Sequence, residues 1–158
     1  MDQIIIRTAT LADLDILFSF EQGIISTERP FDPTLREGKI HYYDLAQMIK
    51  APSVEVMVAE SDGKIIGSGY ARIEESKNYL KHSKHAYLGF MYVHHAYRGK
   101  GVNQLIINGL KQWGIAQNVT EMRLEVYHDN LLLLRLMKRL DLVNYSSPCG
   151  WELMNNFL

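Results

Sequence analysis

The stretch Val93-His94-His95-Ala96-Tyr97-Arg98-Gly99-Lys100-Gly101-Val102-Asn103 constrains this chain more than any other. A β-type run, Tyr87 to Val93, leads into it, and a run of helical periodicity, Val102 to Gln117, leads out. Between them two glycines alternate with an arginine and a lysine. Glycine has no Cβ, so the backbone of such a turn can approach an anion closely. The first turn of the helix that follows contributes free N–H groups and the positive end of its dipole. Together these features suit a phosphate or a pyrophosphate. The competing reading is an ordinary strand–loop–helix turn whose basic residues are merely solvated. The two common phosphate loops are excluded, because there is no Gly-Lys-Ser/Thr ending and the dinucleotide glycine spacing is absent.

The composition allows a folded framework around that turn. A chain of 158 residues is expected to form one domain, 1–158, long enough to bury a good core. With 47% hydrophobic residues and a net charge of −1, neither disorder nor a nucleic-acid partner is expected. The single cysteine, Cys149, excludes an internal disulfide and reads as a buried structural thiol in a reducing compartment. The N-terminal residues lack the basic start and long apolar run of a signal peptide, and no apolar run approaches a membrane span. A cytoplasmic protein with no membrane partner is the expectation, and a homodimer is left open.

Taken in order, the chain reads as alternating strands and helices. Gln3 to Arg7 is a short β-branched strand. Thr10-Leu11-Ala12-Asp13 has the form of a helix start, with Thr10 as N-cap and Asp13 placed to reach back. Leu11, Leu14, Leu17 and Phe18 follow at core spacing. Pro30 and Pro33 break regular structure, and a second helix is expected within His41 to Lys50, with Leu45, Met48 and Ile49 inward and Pro52 ending it. Val54 to Glu60 and Ile65 to Glu74 read as a hairpin about Ser61-Asp62-Gly63-Lys64. Lys77 to Lys84 is a basic loop. His85 to Val93 is the strand before the turn, with Leu88, Phe90 and Tyr92 expected on one face. In the outgoing helix Val102, Leu105, Ile106, Leu110 and Trp113 form a core stripe. Glu121 to Tyr127 is a further strand, His128-Asp129-Asn130 opens another helix, and Val143 to Ser146 and Trp151 to Asn155 close the chain as strands.

Arg98-Gly99-Lys100-Gly101-Val102-Asn103 resembles motif A of the Gcn5-related N-acetyltransferases (GNAT), Gln/Arg-x-x-Gly-x-Gly/Ala, with Asn103 where the family has Gly or Ala. Leu124-Glu125-Val126-Tyr127-His128-Asp129-Asn130 looks like part of its motif B. The order of elements is similar over nearly the whole chain. The resemblance implies an α/β (α+β) fold, a mixed and mostly antiparallel central sheet flanked by helices. It implies acetyl-coenzyme A as co-substrate, with the amides of residues 98–103 at the pyrophosphate. Those residues are Arg98, Gly99, Lys100, Gly101, Val102 and Asn103. Met91, Tyr92 and Val93 are implied beside the pantetheine on a bulged, splayed strand, and Asn130 near the coenzyme. The early helical region would line the acceptor side, making Arg29, Phe31, Asp32, His41 and Tyr42 candidate acceptor contacts; a plain surface loop is the alternative.

Acetyl transfer to an amine needs a held thioester, loss of the amine proton, and a donor for the charge that develops on the thioester oxygen. The backbone N–H of Val93 can be that donor. The strand glutamate that many members use as base falls at Gly89 and is missing. Glu125 is the first candidate for the base, because acetyltransferases of ribosomal-protein N-termini share its Leu-Glu-Val stretch; a plain surface role is the alternative. Tyr127 is the second catalytic candidate, with His128, acting through water. The tyrosine that usually protonates the departing thiolate is Met137 here. No Cys/His spacing of the metal-binding kind exists, so no metal is expected. The function implied is acetyl transfer to a primary amine of a small molecule or a peptide. A non-catalytic coenzyme A-binding regulator and a nucleotide-phosphate binding module remain as rivals.

Overall fold

The computed structural model describes residues 3–125, together with the backbone of residues 126, 143–147 and 150–156. The elements are β1 (Ile5–Thr8), α1 (Leu14–Glu28), α2 (Leu45–Lys50), β2 (Val54–Ser61), β3 (Lys64–Glu75), β4 (Lys84–Val93), α3 (Val102–Ala116), β5 (Glu121–Val126), β6 (Val143–Ser147) and β7 (Gly150–Asn156). Among the described residues the strands form one sheet in the order β1-β2-β3-β4-β5-β7-β6. Its pairings are antiparallel except that of β4 with β5, which is parallel. This is the mixed, mostly antiparallel sheet that the resemblance implies. The β2–β3 turn has positive φ at both Asp62 and Gly63, as a tight hairpin of right-twisted strands demands.

Helices cover both faces of the sheet. On one face α3 packs Val102, Ile106 and Leu110 against Ile66, Ala86 and Leu88. On the other, Leu17 and Phe20 of α1 and Leu45 of α2 pack with Val56, Tyr70 and Phe90. Helix capping starts α2, where Asp44 accepts the N–H of Gln47 at 3.0 Å. Two expected core positions lie outside instead. Leu11 is exposed because Leu11–Asp13 winds as a separate 3-10 turn, which rotates it off the stripe; the buried stripe of α1 is Leu17, Phe20, Glu21 and Ile25, with Phe18 only half-buried. Leu105 is also exposed, because the buried arc of α3 centres on Ile106 and Leu110 and takes in Ile107.

The expected reach-back of Asp13 is present, and it does more than cap. Its carboxylate accepts the N–H of Thr10 at 2.7 Å and is gripped by both terminal nitrogens of Arg7, at 2.9 and 3.0 Å. The Arg7 hydrogen bonds hold the largely buried Asp13 carboxyl down at about 2, below its usual 3.8. A depressed folded value means that the contribution is complete above the unfolded value and is lost as pH falls from there through about 2. We expect Asp13→Asn to cost at most about 2 kcal/mol at neutral pH. In urea melts the gap between wild type and mutant should shrink between pH 4 and pH 2, and a gap independent of pH would contradict the pairing.

The strand leading to the glycine turn breaks the expected alternation. Ala86 and Leu88 face α3, yet Phe90 and Tyr92 face α1 while Met91 and Val93 turn to α3. The register explains this correction. Ser68 pairs with Tyr92 and Tyr70 with Gly89, so two residues of β4, Phe90 and Met91, stand against one of β3, Gly69. That is a β-bulge, and it shifts the period-two pattern by one residue. Phe90 has φ +56°, in the left-handed region, at a cost of about 1–2 kcal/mol for a residue with a Cβ. Burial of its ring, worth about 1.5–3 kcal/mol, offsets this strain. The carbonyl of Phe90 accepts a hydrogen bond from the buried Ser68 hydroxyl at 3.2 Å.

Candidate functional site

The described pairing of β4 with β5 stops just before the bulge. The two strands are registered only at Ala86↔Met122, Tyr87↔Arg123 and Leu88↔Leu124. Beyond Leu88, among the described residues, β4 continues to Val93 paired only with β3. The N–H of His94 donates to Ile66 at 2.8 Å, so Tyr92, two residues back, also turns its backbone groups to β3. The N–H and C=O groups of Met91 and Val93 therefore point to the edge that β5 has left. An extended amide chain could pair there as an added strand does.

Beyond that edge the chain makes a single 3-10 turn, His95–Tyr97, and the glycine loop. Gly99 has φ +77° and Gly101 has φ +80°, and a Cβ built at either would meet nothing within 4 Å. Both glycines are thus held in the left-handed region and face open space. Gly101 is the N-cap of α3, and the first helical bond runs from Leu105 N–H to its carbonyl at 3.1 Å. The N–H groups of Val102, Asn103 and Gln104 consequently have no acceptor inside the helix. Arg98 folds back so that Nε donates to the Val93 carbonyl at 3.2 Å, joining the loop to the open strand end. The Lys100 ammonium lies 4.9 Å from the Tyr97 ring centroid. One feature departs from a pure cradle of donors: Oδ1 of Asn103 is buried with no hydrogen-bond partner among the described residues. The loop still fits a phosphate group, since its glycines leave the backbone uncovered and its charged side chains are both cations.

A signal that motif reading misses strengthens this. Between Glu75 and Glu121 the chain has no acidic residue, while Lys77, Lys81, Lys84, Arg98, Lys100 and Lys111 all fall there. The whole segment that surrounds the loop is therefore positive, which favours an anionic partner.

On the α1 face, tyrosines line the sheet where β4 and β5 part. Glu125 of β5 is exposed and accepts a long hydrogen bond, 3.4 Å, from the Tyr87 hydroxyl. Burial, then the neighbouring Glu125 charge, pushes the Tyr87 phenol well above its usual range, so it stays a donor. Arg72 lies 5.6 Å from the Tyr87 ring centroid and is paired with Glu74. Gly89, where the resemblance implies a missing glutamate, is closed to any side chain. A Cβ at Gly89 would lie 2.6 Å from both Cζ and Oη of Tyr70. The ring from the adjacent strand covers Gly89, and burial raises the Tyr70 phenol too, so it remains protonated.

Of the candidate acceptor contacts, Arg29 is committed to structure: it donates to the carbonyls of Arg36, at 2.7 Å, and Gly38. Asp32 closes a local turn on Thr34, whose N–H it accepts at 2.9 Å. Phe31 is exposed. His41 and Tyr42 join Tyr43 in the segment that crosses α1. A carboxylate that the sequence reading passes over, Glu28, stands at the end of α1; burial, opposed by a hydrogen bond from Tyr42, raises its pKa. Tyr127, Asn130, Met137 and Cys149 lie outside the described residues. Among the described residues no group of three or more His, Cys, Asp or Glu could hold a metal ion, and no helix is long and apolar enough to cross a membrane.

Comparison with known proteins gives this geometry its setting. The model of the Acetyltransferase (GNAT) family matches residues 22–141, more than half of the chain. No curated protein matches the sequence. Several solved structures share the fold. PaiA N-acetyltransferase from Thermoplasma acidophilum, in complex with coenzyme A, has a TM-score of 0.78 at 14% identity over 98% of this chain and 99% of that one. Arabidopsis thaliana Naa50, with the bisubstrate analogue CoA-Ac-MVNAL, scores 0.70 at 17% identity over 98% and 99%. A predicted acetyltransferase with acetyl-CoA from Clostridium acetobutylicum scores 0.69 at 15% identity over 92% and 93%.

Proposed function

The chain belongs to the GNAT family of acetyltransferases, and from that premise we propose that it transfers the acetyl group of acetyl-coenzyme A to a primary amine of a small molecule or a peptide. The observation that carries the proposal is the parting of β4 and β5 after Leu88, with the open edge running straight into the Gly99–Gly101 turn at the head of α3. An elongated molecule with amides along its length and phosphates at one end matches that sequence of groups. Three proteins of this fold are solved with coenzyme A, acetyl-CoA or a bisubstrate analogue, which supports the same reading.

Bound acetyl-coenzyme A supplies an activated acyl group with a good thiol leaving group. The protein's own residues do the rest. The amides of the 98–103 turn hold the phosphates. The edge groups of Met91 and Val93 fix the amide chain, and the Val93 N–H steadies the charge that develops on the thioester oxygen. Glu125, exposed at the parting of the strands, takes the proton of the acceptor amine, directly or through water. The protonated Tyr87 hydroxyl orients Glu125 by donating to it. The amine nitrogen attacks the thioester carbon, the C–S bond breaks, and coenzyme A leaves as a thiolate that takes its proton from water, so no side chain needs to form a covalent bond with the acetyl group.

Two measurements test this. Acetyl-coenzyme A at a hundredfold its dissociation constant should stabilise the protein by about 2.7 kcal/mol, seen as a rise in Tm. Nucleotides without the pantetheine arm should stabilise it much less. Release of free thiol with a panel of small amines and peptides with free N-termini should then identify an acceptor. No melting shift at millimolar acetyl-coenzyme A would remove the proposal. A shift without turnover on any amine would leave a coenzyme A-binding protein that does not catalyse.

A further inference from the structure

Glu21 is fully buried in α1 and plays no part in the chemistry above. On the face it shares with Leu17, Phe20 and Ile25, an apolar residue would pack at less cost. A buried carboxylate persists only where donors satisfy it. Here three do, all from consecutive residues: His41 Nδ1 lies 2.6 Å from one oxygen, and the N–H groups of Tyr42 and Tyr43 donate to the other at 2.8 and 3.0 Å. The next residue, Gln22, donates its side-chain amide to the Ile40 carbonyl at 2.8 Å. Two adjacent residues of α1 thus grip the whole segment Ile40–Tyr43.

That segment leads to the bulge. The Tyr43 ring meets Phe90, the left-handed residue, edge-on at 5.4 Å between centroids, and Tyr70, which covers Gly89, at 5.6 Å. On the same face Phe20 stacks on Tyr92 at 4.4 Å. Phe20 and Glu21 therefore both bear on the splayed part of β4, one directly and one through Tyr43. The Gly99–Gly101 loop leads away to α3 on the opposite face.

We propose that Glu21 is a positioning residue for the acceptor: through Ile40–Tyr43 it sets Tyr43 over the bulge, and so shapes the acceptor side of the cleft without touching the coenzyme loop. The proposal rests on the transferase reading. Its test uses full-length protein and an amine that the wild type acetylates. Glu21→Gln keeps one oxygen for the Tyr42 and Tyr43 N–H groups but removes the charge. The amine KM should rise about tenfold with kcat within about twofold, the mark of lost binding rather than lost chemistry, and acetyl-coenzyme A affinity should be unchanged by calorimetry. Because the effect runs through Tyr43, the double variant Glu21→Gln/Tyr43→Leu should have the KM of Tyr43→Leu alone. An unchanged amine KM, additive effects, or an equal loss of coenzyme affinity would each overturn the proposal. Should Glu21→Gln fail to fold, Tyr43→Leu decides: a raised amine KM at unchanged coenzyme affinity supports it, and an unchanged KM overturns it. If the wild type acetylates no amine at all, the transferase reading has failed first, and the positioning role falls with it.

Discussion

Gly101→Val is expected to weaken acetyl-coenzyme A binding about a hundredfold while leaving the fold intact. Gly101 sits at φ +80°, in a region that a β-branched residue enters only at a cost of about 1–2 kcal/mol. Valine would relieve that strain by moving the loop, and the N–H groups of 102–104 would move with it. Hydrogen bonds to a charged group contribute about 1.5–3 kcal/mol each, so losing one or two accounts for the expected drop. A second effect acts in the same direction. The space around Gly101 is open, and a branched side chain would fill the room through which a phosphate must approach. The fold survives because the strain is small beside the 5–15 kcal/mol, roughly, of a typical domain. Gly63→Val is the control, for Gly63 has φ +70° and equally open surroundings, but in the β2–β3 turn. Both variants should lose similar stability, and only Gly101→Val should lose affinity in isothermal titration. Equal affinity in the two would remove the loop from the coenzyme site.

The loop was legible from sequence because its signal is local: Arg98-Gly99-Lys100-Gly101 carries its own backbone requirement, and the flanking periodicities place it between strand and helix. The order of strands was legible for a similar reason, since each strand is bounded by turn residues such as Asp62-Gly63. What could not be read depends on register. The alternation of Leu88, Phe90 and Tyr92 suggests one face, and nothing local shows that two residues of β4 oppose Gly69 and reverse the pattern. The cover over Gly89 is equally non-local. A side chain at Gly89 is closed out because Tyr70, nineteen places earlier in the chain but directly opposite in the sheet, takes the room. Glu21 escaped for the converse reason. A glutamate on a helix reads as solvent-facing, and only the return of residues 41–43 across α1 supplies the three donors that bury it. Leu11 and Leu105 fit helical spacing, but spacing cannot tell a 3-10 turn from the first turn of α1, nor fix the centre of a buried arc.

Loss of the base separates an enzyme from a binder. With Gly89 bare and its room taken by Tyr70, β4 offers no carboxylate at the parting of the strands. Glu125, on the neighbouring strand, is the described carboxylate that stands there, exposed to an incoming amine and joined to Tyr87 at 3.4 Å. Glu125→Gln keeps the size and an oxygen for the Tyr87 hydroxyl, yet a neutral amide cannot take a proton from an ammonium. Positioned bases contribute on the order of 10²–10⁴-fold, so kcat should fall by about that factor with acetyl-coenzyme A affinity unchanged. Tyr87→Phe removes only the orienting hydrogen bond and should cost far less, because Glu125 remains within reach of solvent and substrate. The measurement is single-turnover acetyl transfer at saturating coenzyme, followed as a function of pH. Because an amine that arrives already neutral needs no base, the loss in Glu125→Gln should narrow as pH rises toward the acceptor's own pKa. A uniform loss across pH would point instead to altered substrate binding. A rate equal to wild type in a folded, coenzyme-binding variant would show that Glu125 is not the base.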